Sequence, residues 1–264
     1  MRMGRIAALA LMCAGLTTAC GQQGARADDA NSTGYLTPAQ VPDTAALIGP
    51  PPAAGSAALA NDEATYRATR ELEGHPRWSL AVKDAAFGAD EMLNAYSCAL
   101  GVTLTPQSAP VLDRLLDRVS NDTEAGSGKA KRAYHRTRPF MTLGGDICTP
   151  GDDYLKTSFS YPSGHSTFGW ASGLVVAAVA PDSAQAVMAR AQAYGESRVI
   201  CGVHYESDVA AGRKVGAAVF AALQKDAAFE ADLAAARAEL ARLRGAPHAA
   251  PDAGECAIEA AASH

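Results

Sequence analysis

Residues 161–180 read Tyr161-Pro162-Ser163-Gly164-His165-Ser166-Thr167-Phe168-Gly169-Trp170-Ala171-Ser172-Gly173-Leu174-Val175-Val176-Ala177-Ala178-Val179-Ala180, and Pro181 follows. From His165 to Ala180 the stretch has no charged face, and a helix apolar on every side belongs inside a protein rather than on its surface. Pro181 stops it. A chain that buries such a helix must surround it, and the flanking sequence offers more helices. Asn61-Asp62-Glu63 reads as a capping residue with acids in the first turn of a helix running to Glu73, before Gly74 and Pro76. Trp78–Ala86 and Ala89–Leu100 look helical, with Gly101 as a stop. Val111, Leu112, Leu115, Leu116 and Val119 repeat at helical spacing within 106–119. Gly126–Gly128 predict a break, and Lys129–Arg138 a further helix closed by Pro139. Residues 140–161 read as loop, and Ser183–Glu196, Tyr205–Gln224 and Phe229–Leu243 as helices. Alternating strand patterns are nearly absent. The expected fold is all-α: one globular domain over residues 58–245 with a core helix bundle.

Around this domain the ends read differently. Arg2 and Arg5, then the apolar run Ile6–Ala19, form an export signal. Two exits compete. Leu16-Thr17-Thr18-Ala19-Cys20 resembles a bacterial lipobox, ending the signal at residue 20 with Cys20 as the lipidated first residue, while Ala25-Arg26-Ala27 is an ordinary cleavage site. Either predicts an exported protein, periplasmic or held at the outer membrane as a lipoprotein. A lipid on Cys20 would be its one membrane attachment, because no later stretch reaches ~18 apolar residues. Residues 28–57 are Pro/Ala-rich and extended, and residues 246–264 read as a frayed, disordered tail. The formal net charge is -5 over 264 residues. No basic surface for nucleic acid is expected, and an anionic ligand would require positive charge gathered in a pocket. Cys98, Cys148, Cys201 and Cys256 remain beyond the signal. They allow two disulfides in three connectivities or buried thiols, and no spacing suggests a metal.

Three short segments carry chemistry. Lys131 and Arg138 are seven residues apart, close to two helical turns, so on one helix they would present two cations on one face, suited to an anion. Ser163-Gly164-His165 opens the apolar helix, where free amides and a partial positive charge make a phosphate cradle. Ser163 adds a hydroxyl, Gly164 lets the backbone approach closely, and His165 brings a titratable proton. In the third, Arg198 offers a planar, permanently charged fork. His204 and Asp208, i,i+4 neighbours if helical, would hold an imidazole with its Nε2 lone pair free. His75, His135, His248 and His264 stand alone and read as surface or structural, and Trp78 and Trp170 as core. Gly126-Ser127-Gly128-Lys129 lacks the first Gly and the Ser/Thr of a P-loop.

Taken together, Lys-x6-Arg-Pro, Pro-Ser-Gly-His and Ser-Arg-x5-His-x3-Asp resemble the three-part signature of the type 2 phosphatidic-acid phosphatase superfamily. From Pro50-Pro51-Pro52 through Asn61-Asp62-Glu63 and Ser197-Arg198-Val199-Ile200-Cys201-Gly202 to about Leu243, the chain is similar to the bacterial class A nonspecific acid phosphatases. The resemblance implies hydrolysis of a broad range of phosphate monoesters, with some phosphotransfer to alcohols. His204 would be the nucleophile forming a phosphohistidine, Asp208 its orienting carboxylate and His165 the acid and base. Lys131, Arg138, Arg198, Ser163 and Gly164 would hold the phosphate. It implies neither metal nor cofactor, and inhibition by phosphate analogues such as vanadate. Vanadate-dependent haloperoxidases share this residue set and are the competing reading. The Phe229–Leu243 helix, whose polar face is not basic, would pack on the domain or on a second copy of the chain.

Overall fold

The computed structural model describes residue 1 and residues 33–262. Both signal-cleavage readings, with Cys20, lie outside the described residues, and every described helix belongs to the unit Ser32–His264. The helices are α1 (Thr44–Ile48), α2 (Ala57–Arg70), α3 (Pro76–Lys83), α4 (Ala89–Leu100), α5 (Pro110–Tyr134), α6 (Pro139–Leu143), α7 (Tyr154–Thr157), α8 (Gly164–Val179), α9 (Ala184–Ile200), α10 (Glu206–Leu223), α11 (Ala227–Gly245) and α12 (Ala253–Ala262). No strand occurs among the described residues, so the fold is all-α.

The apolar run before Pro181 forms α8, at the centre, and α5, α9 and α10 pack directly on it. Small residues let the backbones meet. A Cβ on Gly212 of α10 would lie 2.6 Å from the Ser163 carbonyl oxygen, and one on Gly216 would lie 2.5 Å from that of Thr167. On the α9 side, a Cβ on Gly173 would lie 2.6 Å from the Ala191 Cβ. Because backbone cannot swing aside as a side chain can, Gly216→Ala is expected to destabilise the fold by about 1–3 kcal/mol through overpacking. Thermal melting checks this, and an unchanged Tm would contradict the close approach.

The long α5 carries the largest departure from expectation. Gly126–Gly128 do not break it; the helix runs through them for 25 residues. Each glycine costs a helix interior about 1 kcal/mol, but here tertiary packing offsets the cost. A Cβ on Gly126 would come 3.0 Å from Val219 of α10, and the Gly126 carbonyl accepts the Thr44 hydroxyl at 2.6 Å. Pro110 starts α5 with no side-chain cap of its own. The buried Glu239 carboxylate of α11 accepts the Val111 and Leu112 amides instead, at 3.0 and 2.9 Å. Asp122 accepts the amides of Tyr35 and Leu36 at 2.8 and 3.0 Å, fixing the N-terminal segment against α5.

Other boundaries move for local reasons. Ser56 caps α2 through the Leu59 amide at 3.1 Å, so Asn61-Asp62-Glu63 falls inside the helix rather than at its start. Lys129–Arg138 is not one helix: α5 ends at Tyr134, His135 takes a left-handed conformation (φ 49°), and Arg138 becomes the N-cap of α6. Residues 140–161, expected as loop, contain α6 and α7, and α9 runs past Glu196 to Ile200. Trp78 and Trp170 are half-buried, at the periphery of the apolar clusters rather than within them. The segment after Gly245, expected to fray, carries α12, held to α4 by the Cys98–Cys256 disulfide and to α3 by Lys83–Glu255 at 2.8 Å.

Candidate active site

One cavity of about 600 Å³ opens above the N-terminus of α8, lined among others by Lys131, Arg138, Gly164, His165, Arg198 and His204. These come from five places: the last turn of α5, the N-cap of α6, the first turn of α8, the last turn of α9 and the turn before α10. As first residues of α8, Gly164 and His165 have amides with no partner in the helix, facing the site with the positive end of the helix dipole. The Ser163 hydroxyl caps α8 by accepting the Ser166 amide at 3.2 Å, and Ser163 itself is fully buried and not part of the cavity wall.

Arg198 is the most telling member. It is 2% exposed, yet its Nε and Nη1 have no hydrogen-bond acceptor. A buried guanidinium without a counter-charge costs several kcal/mol, and an anion in the cavity is the group that would repay it. Arg138 is likewise buried. Its Nη1 donates to the Val203 carbonyl at 2.9 Å and reaches His204 Nε2 at 3.0 Å, while Nε and Nη2 donate to the Ser158 carbonyl and hydroxyl at 3.2 and 2.9 Å. The Lys131 ammonium donates to the Phe159 carbonyl at 2.5 Å. Burial, then the neighbouring Arg138, pull Lys131 down to about 7.

Hydrogen bonds settle both tautomers. A guanidinium can only donate, so His204 Nε2 must be bare where Arg138 meets it, and the ring proton sits on Nδ1. Nδ1 faces Ser160, whose hydroxyl oxygen is 3.3 Å away. His165 Nε2 lies 3.0 Å from the Ala85 carbonyl, which can only accept, leaving Nδ1 free to exchange a proton. Burial, followed by Arg198 for His165 and Arg138 for His204, holds both imidazoles well below the ordinary histidine value. A neutral His204 at acid pH is therefore favoured.

The His204–Asp208 pair is not built as expected. His204 precedes the Tyr205 N-cap of α10, so the two do not face each other along one helix, and Asp208 Oδ2 is 3.4 Å from Nδ1, longer than a good hydrogen bond. Ser160 stands between them, donating its hydroxyl to Asp208 Oδ2, and the Tyr205 amide donates to the same oxygen at 2.8 Å. The other oxygen takes Arg136 Nη1 at 2.7 Å. Arg136 Nη2 in turn meets Asp62 Oδ2 at 2.8 Å, and Asp62 also accepts the Ser207 amide at 2.9 Å. Burial opposes the charge of Arg136, but Asp208 and Asp62 outweigh it.

Sequence reasoning missed Arg136, Ser160, Ser158 and Asp62. The one local hint was an arginine inside the Lys131–Arg138 spacer. Ser197, quoted with the signature, is not part of the cavity wall and donates to Asp84 at 2.5 Å, where Asp84 pairs with Arg190. No group of three or more His, Cys, Asp or Glu that could hold a metal ion occurs among the described residues. None of their helices is long and apolar enough to cross a membrane.

Residues 122–229 match the family model described as the PAP2 superfamily. The chain is 39% identical over 221 residues to an acid phosphatase of Zymomonas mobilis subsp. mobilis, covering 83% of each. It is 39% identical over 212 residues to a non-specific acid phosphatase of Providencia stuartii, covering 80% of this chain and 86% of that protein. A non-specific acid phosphatase of Salmonella typhimurium is 35% identical over 208 residues, covering 78% of this chain and 83% of that protein.

Proposed function

The chain belongs to the bacterial class A acid phosphatases of the PAP2 superfamily, and on that premise we propose that it hydrolyses phosphate monoesters through a phosphohistidine on His204. The observation that carries the reading is the buried Arg198, with two nitrogens lacking acceptors in the wall of a cavity that also holds two histidines, Lys131 and Arg138.

Phosphate would enter against Arg198, Lys131, Arg138 and the Gly164 and His165 amides, which stabilise the charge on its non-bridging oxygens. Arg138 would exchange His204 Nε2 for a phosphate oxygen, freeing the lone pair. Nε2 then bonds to phosphorus while the ester P–O bond breaks, and His165, in the protonated form that acid pH populates, gives its Nδ1 proton to the leaving oxygen. The proton on His204 Nδ1 stays there, held toward Ser160 and the Asp208 charge. Water, giving its proton to the now neutral His165, displaces His204 and releases phosphate; an alcohol in its place would give phosphotransfer. Ser163 would support the cradle through its cap of α8. Export, with or without a lipid on Cys20, remains part of the proposal.

The electrostatics of the cavity lead to two expected outcomes. Lys131 has a depressed pKa, so its ammonium is present below about pH 7 and lost above it. kcat/KM, which reports the free enzyme, should therefore fall as pH rises through that region. In Lys131→Arg the alkaline fall should move upward by a unit or more, since a guanidinium stays charged; an unmoved limb would remove Lys131 from the cradle. Because three cationic side chains, Lys131, Arg138 and Arg198, supply the charge stabilisation a metal ion gives elsewhere, turnover of 4-nitrophenyl phosphate should persist after exhaustive chelation and be inhibited competitively by vanadate. Strict dependence on added Mg²⁺ or Zn²⁺ would sink this mechanism, and halide oxidation with vanadate and peroxide would favour the haloperoxidase reading.

A further inference from the structure

Four cysteines lie in the described residues, and the Cys98–Cys256 bond leaves Cys148 and Cys201. These two are neighbours in space. The Cys148 amide donates to the Cys201 carbonyl at 3.1 Å. Such a direct bond holds two Cα atoms near the separation a disulfide spans, roughly 4.4–6.8 Å. Both side chains sit in the second apolar cluster, with Ala81, Leu155, Ile200 and Val203, where Cys201 is fully buried and Cys148 half-buried. The position matters to the site. Cys201 stands midway between Arg198 and His204, and Cys148 adjoins Thr149, which with Asp152 forms part of the cavity wall. That wall segment is otherwise tied down by backbone acceptors: Tyr66 donates to the Gly144 carbonyl and Arg70 to that of Asp146, each at 2.6 Å.

We propose that Cys148 and Cys201 are the site of a second disulfide, closed in the exported enzyme, that joins the 144–153 wall of the cavity to the turn between Arg198 and His204. The proposal rests on the export reading for its oxidising surroundings. The co-reactant is a small or protein disulfide of the kind that oxidises exported proteins. Cys148, the accessible partner, attacks one sulfur of that disulfide, its proton leaving with the expelled thiolate. The Cys201 thiolate then attacks Cys148 Sγ and expels the second thiol. One S–S bond replaces two S–H bonds, and the two electrons and two protons reside on the oxidant as two thiols. Local electrostatics suit the second step: a hydrogen bond from Cys148, with Arg198 and Arg70 nearby, lowers Cys201 to about 7, while the same bond raises Cys148.

The test is a disulfide map that needs no variant and no activity. The purified full chain is reduced, returned to oxidised glutathione under native conditions, alkylated in denaturant and digested with trypsin. The expected product is the 137–156 peptide, carrying Cys148, joined to the 199–213 peptide, carrying Cys201. Alkylated or separately glutathionylated Cys148 and Cys201 would overturn the proposal, as would a link from either to Cys98 or Cys256. The same map on protein recovered from the exported fraction tests the compartment: a bridge formed by glutathione but absent there places the failure in the export reading. Phosphatase activity bears on neither outcome.

Discussion

His204→Ala is expected to lose turnover of 4-nitrophenyl phosphate by at least about 10⁴-fold, the scale at which removing a covalent nucleophile leaves only binding and charge stabilisation. The reason is local. His204 Nε2 is the bare nitrogen in the cavity, kept neutral at acid pH by burial and by Arg138, and its proton is held on the far side of the ring. The loss should fall on kcat with the phosphate site intact, because Arg198, Lys131 and the α8 amides remain. Arg138 also keeps its bonds to Val203 and Ser158. Rapid-quench kinetics and competitive vanadate binding separate the two. Near-normal turnover with retained vanadate affinity would move the nucleophile elsewhere.

His165→Ala should behave differently, and the difference assigns its role. Loss of general acid catalysis costs about 10²–10⁴-fold for alkyl phosphates, whose leaving alkoxide needs a proton. 4-Nitrophenolate leaves unaided, so its transfer to His204 should be nearly spared. Hydrolysis of the phosphoenzyme then lacks its base and becomes slow. A burst equal to the enzyme concentration, followed by slow turnover, is the expected trace, with an acid-labile phosphate on the peptide containing His204. The pH profile carries the same information. His165 is depressed by burial and Arg198, so its protonated form grows only as pH falls. The acid-side rise in alkyl phosphate turnover should disappear in the variant. Equal losses for both leaving groups and no burst would reduce His165 to a structural residue.

The elements that read clearly were those whose pattern is local. The apolar run before Pro181 gave α8 almost to the residue, and Ala89–Leu100 with Gly101 gave α4, because burial on all sides and a left-handed glycine cap each leave a mark within one turn. Lys131, Arg138, Gly164, His165, Arg198 and His204 do meet in one cavity, yet two of the geometric reasons offered for it do not hold. Lys131 and Arg138 converge from two helices across a left-handed His135, not along one face. His204 lies in the turn before α10, so its Nδ1 approaches both Asp208 Oδ2 at 3.4 Å and the Ser160 hydroxyl at 3.3 Å from outside the helix rather than along a helical turn. The glycines at 126–128 looked like a break because their cost is local, whereas what offsets it comes from Thr44 and Val219.

By itself, the sequence determined the all-α class, the central helix and the kinds of side chain that gather for phosphate chemistry, since periodicity and residue type act over a few neighbours. Only the tertiary structure decided how those side chains are held. Asp62 and Arg136 are 74 residues apart and Ser160 and Asp208 are 48 apart, and their contacts exist because α2, the α5–α6 turn and α10 pack together. Arg198 stands out in the sequence as a charged fork within its motif, but its surroundings do not. Burial at the end of α9, with no acceptor for two of its nitrogens, is what turns it into an anion site, because a guanidinium's need for a partner is set by what surrounds it.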